Sequence, residues 1–247
     1  MADERREANG IEGESLAGDA CMQGIGARAG SLLYENRRIV IASACLIVFI
    51  VLLNRVLAGQ IMALDRAAIE LMVEHVRAAW LTPIMETVSF AVTPVPLIVG
   101  IFAIALGCRS HGVRGVGAFC AANLIGSTLL NQVLKFAVQR PRPDVALRLV
   151  DIGGFSFPSG HSMAAMAFFG LLAWLVWHGV RSRGMRNGLV AVLCAMICAV
   201  GFSRVYLGVH YASDVLAGFC ASLAWLVVYT KVAGPMLGLS RPCGRVQ

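Results

Sequence analysis

Three short polar stretches interrupt an otherwise apolar sequence, and together they hold the residues able to do chemistry. The first is Lys135-Phe-Ala-Val-Gln-Arg140-Pro-Arg142-Pro143. The second is Pro158-Ser159-Gly160-His161, and the third runs from Ser203-Arg204 through His210 to Asp214. They supply three strong cations (Lys135, Arg142 and Arg204), two imidazoles (His161 and His210) and the carboxylate of Asp214, the only acidic residue after Asp151. His210 and Asp214 are four apart, so on a helix they would share a face with Cβ atoms about 5–6 Å apart. A carboxylate on one ring nitrogen fixes the tautomer and leaves the other nitrogen as base, nucleophile or metal ligand. Arginine's planar fork suits two oxygens of one phosphate. Pro158-Ser159-Gly160 has the form of a helix start, whose free N–H groups attract an anion. Pro141 and Pro143 predict that the helix carrying Lys135 ends before Arg142, which then sits in an extended loop.

This inventory fits a dianionic phosphoryl group. Cations and N–H groups would hold the equatorial oxygens, one histidine would attack in line and the other would protonate the leaving oxygen. Each stretch alone has a plainer reading. Lys135, Arg140 and Arg142 suit a helix-end anchor at a membrane surface. His161 suits a core histidine bonded to a carbonyl. His210 and Asp214 suit a structural pair or two metal ligands, although no third ligand at helical spacing accompanies them. The joint occurrence of all three stretches on one membrane face, derived below, outweighs these separate readings.

The elements that must position these residues are helices in a bilayer. Of 247 residues, 58% are hydrophobic and 14% charged, against about half and a quarter in a soluble domain. Apolar runs near the roughly 20 residues a bilayer requires are read at 39–57, 87–108, 113–137, 162–180, 188–202 and 212–233. Helices are expected over open sheet because hydrocarbon offers the backbone no partner. The fold class expected is therefore all-α: a polytopic membrane protein with six transmembrane helices in a bundle. An amphipathic outer-surface helix is expected at 64–81, with Ile69, Met72, Val73, Val76 and Trp80 opposite Arg66, Glu70, Glu74 and Arg77. The expected organisation is a disordered cytoplasmic tail at 1–35, a six-helix membrane domain at 36–235 and a short cytoplasmic tail at 236–247. Residues 1–35 are too long and too acidic for the n-region of a cleaved signal peptide, so the first helix reads as a retained anchor.

A net charge of +7 raises the question of nucleic acid, but its distribution answers another way. With alternating spans, 13 of the 21 Lys and Arg residues lie on the side of the N-terminus and 8 on the other. The positive-inside rule makes the richer side cytoplasmic, with both termini inside. The three polar stretches then share the outer, periplasmic face of a plasma membrane, and no nucleic-acid partner is expected. The eight cysteines form no C-x-x-C pair and are assigned neither a metal nor a disulfide.

Taken together, the stretches resemble the signature of the type 2 phosphatidic acid phosphatase and vanadium haloperoxidase superfamily: K-x6-R-P, then P-S-G-H, then S-R-x5-H-x3-D. All three are complete and in order, and the resemblance covers about residues 39–233, like the membrane lipid phosphatase branch. It implies that Lys135, Arg142, Ser159, Gly160 and Arg204 bind phosphate. It makes His210 a nucleophile forming a phosphohistidine, Asp214 its orienting partner and His161 the general acid, with no metal or other cofactor. The substrate implied is a membrane lipid phosphate or pyrophosphate: phosphatidylglycerol phosphate, phosphatidic acid or undecaprenyl pyrophosphate. Three other readings compete. A soluble vanadate-dependent haloperoxidase is opposed by the apolar spans. An intramembrane serine protease with a Ser159–His210 dyad leaves Lys135, Arg142, Arg204 and His161 unexplained. A non-catalytic phosphate-pocket protein has no missing motif in its favour.

Overall fold

The computed structural model of the protein describes residues 36–110 and 112–237. The chain divides into two units, Met1–Ile41 and Ala42–Gln247. In the first, the described residues are the start of one helix; packing below concerns the second. The tail expected at 1–35 and nearly all of that at 236–247, with Cys21 and Cys243, lie outside the described residues, as does His111.

Among the described residues the protein is helical and has no strand. The helices are α1 (Arg37–Leu57), α2 (Met62–Leu71), α3 (Thr82–Phe90), α4 (Pro94–Ser110), α5 (Val116–Val138), α6 (Gly160–Gly179), α7 (Arg183–Tyr206) and α8 (Ala212–Ala233). Five of them (α1, α5, α6, α7 and α8 with its continuation to Leu237) are long and apolar enough to cross a membrane. The run expected as one helix at 87–108 is instead two helices, α3 and α4, meeting at 55°, which pass the length and hydropathy test only as a pair and bring the count to six if they form one span. Pro94 and Pro96 explain the break. Proline lacks the N–H that an uninterrupted helix needs, yet it is tolerated in a first turn, where α4 begins. The fifth span, expected at 188–202, is longer at both ends and takes Ser203 and Arg204 into its last turn.

The amphipathic helix expected at 64–81 is corrected more substantially. Regular helix ends at Leu71, one wide turn follows at Met72–Val76, and Arg77 is extended. The faces differ too. Trp80 is 70% exposed, while Asp65 is buried beside Ile69. Arg77, assigned to the solvated side, turns inward and donates to the carbonyls of Tyr206 (2.9 Å) and Leu147 (2.6 Å). Specific buried partners override the simple apolar period.

Helix α6 is the centre of the bundle and packs against α5, α7 and α8. Water-excluding force is weak between helices in lipid, so close approach is achieved by small residues. Gly126 faces the Trp225 indole, Gly170 faces Leu226, and Gly201 faces Phe219 and Val215, each where a side chain would overlap its neighbour. Buried amides join the helices: Asn123 donates to the Ala167 carbonyl at 2.8 Å and Asn131 to that of Pro158 at 3.2 Å. The second of these fixes the end of the bundle where the polar stretches meet.

Candidate active site

The three stretches converge through backbone contacts as well as side chains. Helix α5 stops at Val138, and Gln139 adopts a left-handed conformation (φ 50°) that turns the chain into the loop before α6. That loop is pinned by Ser156 N–H to the Arg140 carbonyl (2.8 Å), Leu149 N–H to Leu207 (3.0 Å) and Ser159 N–H to Asp214 (3.0 Å). Arg142 is non-helical, as the flanking prolines predict. Its Nη1 donates to the Val209 carbonyl at 2.8 Å and lies 3.1 Å from His210 Nε2. Lys135 Nζ donates to the Phe155 carbonyl at 2.5 Å. The Lys135 stem borders Gly160, whose added Cβ would sit 3.9 Å from Cε. Lys135, Arg142, Gly160, Arg204 and the two histidines are thus drawn from four helix ends into one place.

His210 reaches Asp214 by a route that differs from the expected shared helical face. It lies in the connection 207–211, ahead of α8, while Asp214 is in the first turn of that helix. Asp214 Oδ2 accepts from the Tyr211 N–H (3.0 Å) and the Ser156 hydroxyl (2.5 Å) and stands 3.6 Å from His210 Nδ1. The other ring nitrogen faces a guanidinium that can only donate, so Nε2 is assigned the lone pair and Nδ1 the hydrogen. Burial lowers the His210 pKa to about 3; Asp214 opposes this, and Arg142 and Arg204 reinforce it. The imidazole is neutral near pH 7, with its unprotonated nitrogen directed at Arg142.

Arg204 lies in the last turn of α7 and is 2% exposed. Its Nη1 donates to the Ser89 hydroxyl of α3, while Nε and Nη2 are buried with no hydrogen-bond partner. Buried donors are rarely left open without a use for them. Ser159 caps α6: its hydroxyl oxygen accepts from the Ser162 N–H (3.4 Å) and hydroxyl (2.9 Å), and its own N–H is taken by Asp214. The open first-turn donors are therefore the N–H groups of Gly160 and His161. Ser159 bonds Ser162 and not His210, which removes the geometry of the protease dyad. Among the described residues, the His161 ring makes no hydrogen bond, and no cluster of three His, Cys, Asp or Glu is placed to hold a metal.

His161 and Gly160 also border an apolar groove of about 490 Å³, at the α3–α4 bend and between α5 and α6. Thr93, Pro94, Ile125 and Thr128 line its other walls. The groove runs from the polar cluster to a flank of the bundle where Ile98, Ile125 and Leu129 are exposed.

Four residues of this site escaped the sequence reading. Arg140, read only as an anchor, is 4% exposed; its Nη1 donates to Asp214 Oδ1 (2.6 Å) and Ser213 (2.8 Å), its Nη2 to Asp65 Oδ2 (2.7 Å). Its plane stacks on the Tyr211 ring at 4.2 Å. Burial opposes the Arg140 charge, but Asp214 and Asp65 outweigh it and hold the pKa above its ordinary value. Ser213 bonds Asp65 through both its N–H (3.1 Å) and hydroxyl (2.5 Å), and Ser156 bonds Asp214 as described. One signal was present: Asp65 falls four residues before Ile69, a carboxylate on the apolar stripe of α2.

Comparison with known proteins gives the family and the fold. The family model described as the PAP2 superfamily matches residues 116–235. The chain is 34% identical over 149 residues to the phosphatidylglycerophosphatase B of Bacillus subtilis, covering 60% of this chain and 73% of that one. It is 34% identical over 139 residues to a lipid A 1-phosphatase of Rhizobium johnstonii, covering 51% of each. Among solved structures, a transmembrane PAP2-type phosphatidylglycerolphosphate phosphatase from Bacillus subtilis superposes with a TM-score of 0.73 at 26% identity, over 83% of this chain and 98% of that one.

Proposed function

We propose how this chain, which belongs to the PAP2 superfamily and is an integral membrane lipid phosphatase, carries out its reaction. Lys135, Arg142, Arg204 and the N–H groups of Gly160 and His161 bind the phosphoryl oxygens. His210 Nε2 attacks phosphorus in line, and the bond from phosphorus to the lipid oxygen breaks. His161 gives that oxygen its proton, releasing the lipid alcohol or, from a pyrophosphate, the lipid monophosphate. The substrate dianion supplies the negative charge that favours a protonated His161 among so many cations. Asp214 stabilises the charge on the phosphohistidine ring through Nδ1–H. Water then attacks the same phosphorus and gives a proton to the now neutral His161. The P–N bond breaks, leaving inorganic phosphate and the starting enzyme.

The observation that carries this reading is the buried Arg204 guanidinium, with two open donors, together with a neutral His210 held between Arg142 and Asp214. For the substrate we favour a lipid phosphomonoester or pyrophosphate, with one acyl or prenyl chain in the groove beside His161. Phosphatidylglycerol phosphate, phosphatidic acid and undecaprenyl pyrophosphate are the candidates. The charge asymmetry of the loops supports a plasma-membrane orientation with both termini cytoplasmic and the site on the outer face.

The test is phosphate release by the purified protein in detergent, with EDTA present, over those three lipids. At least one is expected to turn over, and His210→Ala to abolish it. Inertness toward all three, or full activity in His210→Ala, overturns the proposal.

A further inference from the structure

Asp214 has two oxygens and two demands on its charge. Oδ2 faces His210 Nδ1 at 3.6 Å, while Oδ1 accepts from Arg140 at 2.6 Å. An isolated guanidinium so close would draw the carboxylate's charge away from the histidine. Both ions are buried, where little solvent screening weakens such a pull. Arg140 is not isolated. Its other terminal nitrogen is paired with Asp65 at 2.7 Å, and Asp65 is itself 3% exposed and fixed by two bonds from Ser213. The string Asp65–Arg140–Asp214 therefore carries one net negative charge, and its free end faces the ring of His210.

We infer that Asp65, on the α2 helix and outside the candidate membrane spans, is a positioning residue that neutralises Arg140 and so leaves the Asp214 carboxylate to stabilise the charged ring of His210 during phosphoryl transfer. This rests on the proposed role of His210. Asp65 touches neither ring nor substrate; it acts through Arg140. Its effect belongs to the chemical step, because substrate phosphate meets Lys135, Arg142 and Arg204 and not this string. The same geometry gives α2 a task beyond covering the outer surface. It brings a compensating carboxylate to a helix-end arginine that would otherwise compete with the histidine.

The experiment is steady-state kinetics of the full chain in detergent on a short-chain phosphatidic acid, with the fraction folded measured for every variant. Asp65→Asn is expected to lower kcat about tenfold with KM within about twofold, as removal of a charge effect confined to the transition state requires. Asp65→Glu keeps the charge and is expected to retain at least about a third of kcat. In the pair Asp65→Asn with Arg140→Met the competitor is removed as well, and kcat is expected to recover above that of Asp65→Asn alone. A merely structural bond predicts no such recovery per folded molecule. Unchanged kcat in Asp65→Asn, equal losses in the Asn and Glu variants, or a double variant no faster than the single one overturns the inference. If Asp65→Asn does not fold, the double variant decides, and a kcat below about one-tenth of wild type overturns it. His210→Ala is run alongside. Activity there indicts the proposed chemistry, whereas a silent His210→Ala beside an unaffected Asp65→Asn indicts only the role of Asp65.

Discussion

At the scale of single residues, the site is a set of charges whose partners are incomplete. Arg204 is buried, yet two of its nitrogens have no acceptor. Leaving donors dry has a cost, typically about 1–3 kcal/mol each, that an incoming phosphate would offset. Its fork is held by Ser89 from a different helix, so its direction is fixed before substrate arrives. Arg204→Ala is expected to lower kcat/KM by about a hundredfold or more, and Arg204→Lys by roughly tenfold, since an ammonium replaces the charge but not the fork. Initial rates on a short-chain phosphatidic acid check this, with weaker inhibition by vanadate as an independent readout of the oxyanion site.

At the scale of elements, the connection 207–211 has to deliver His210 between two helices, and one glycine allows it. Gly208 has φ +70°, a left-handed conformation that a Cβ disfavours. That Cβ would also lie 2.2 Å from the Leu147 carbonyl oxygen and 2.7 Å from Arg77 Nη2. The crowding comes from the same interaction that ties the α2–α3 segment to this connection, since Arg77 bonds Leu147 and Tyr206. Gly208→Ala is expected to lower the melting temperature by about 5 °C or more and to reduce kcat, because the strain falls on the segment carrying His210. Thermal unfolding in detergent and initial rates measure the two effects. Loss of stability with an untouched kcat would show that the connection repacks without moving the histidine.

At the scale of the whole molecule, the polar cluster and the apolar groove are adjacent, and their adjacency is what a lipid with a charged end requires. Thr128 lines the groove from α5 and is exposed on its flank. Thr128→Trp is expected to raise KM for a long-chain phosphatidic acid at least about fivefold while leaving a short-chain analogue within about twofold, because only the longer tail needs that volume. Equal effects on both substrates would remove the groove from the substrate's path. Much of this organisation was legible in the chain itself. The apolar runs marked the multi-span, helical class, because hydrocarbon leaves the backbone no other way to satisfy its hydrogen bonds. The spacing of Lys135, Arg142, His161, Arg204, His210 and Asp214 marked the candidate residues, because so many polar groups beside apolar runs require a common use. Other features depended on distant partners. The inward turn of Arg77 is a consequence of packing. So is the approach of His210 to Asp214 from outside the helix. The pairing of Asp65 with Arg140, 75 residues away in sequence, was decided only by the tertiary structure. Local periodicity tells which face of a helix is apolar, but a buried charge is placed by the opposite charge that three-dimensional packing brings to it.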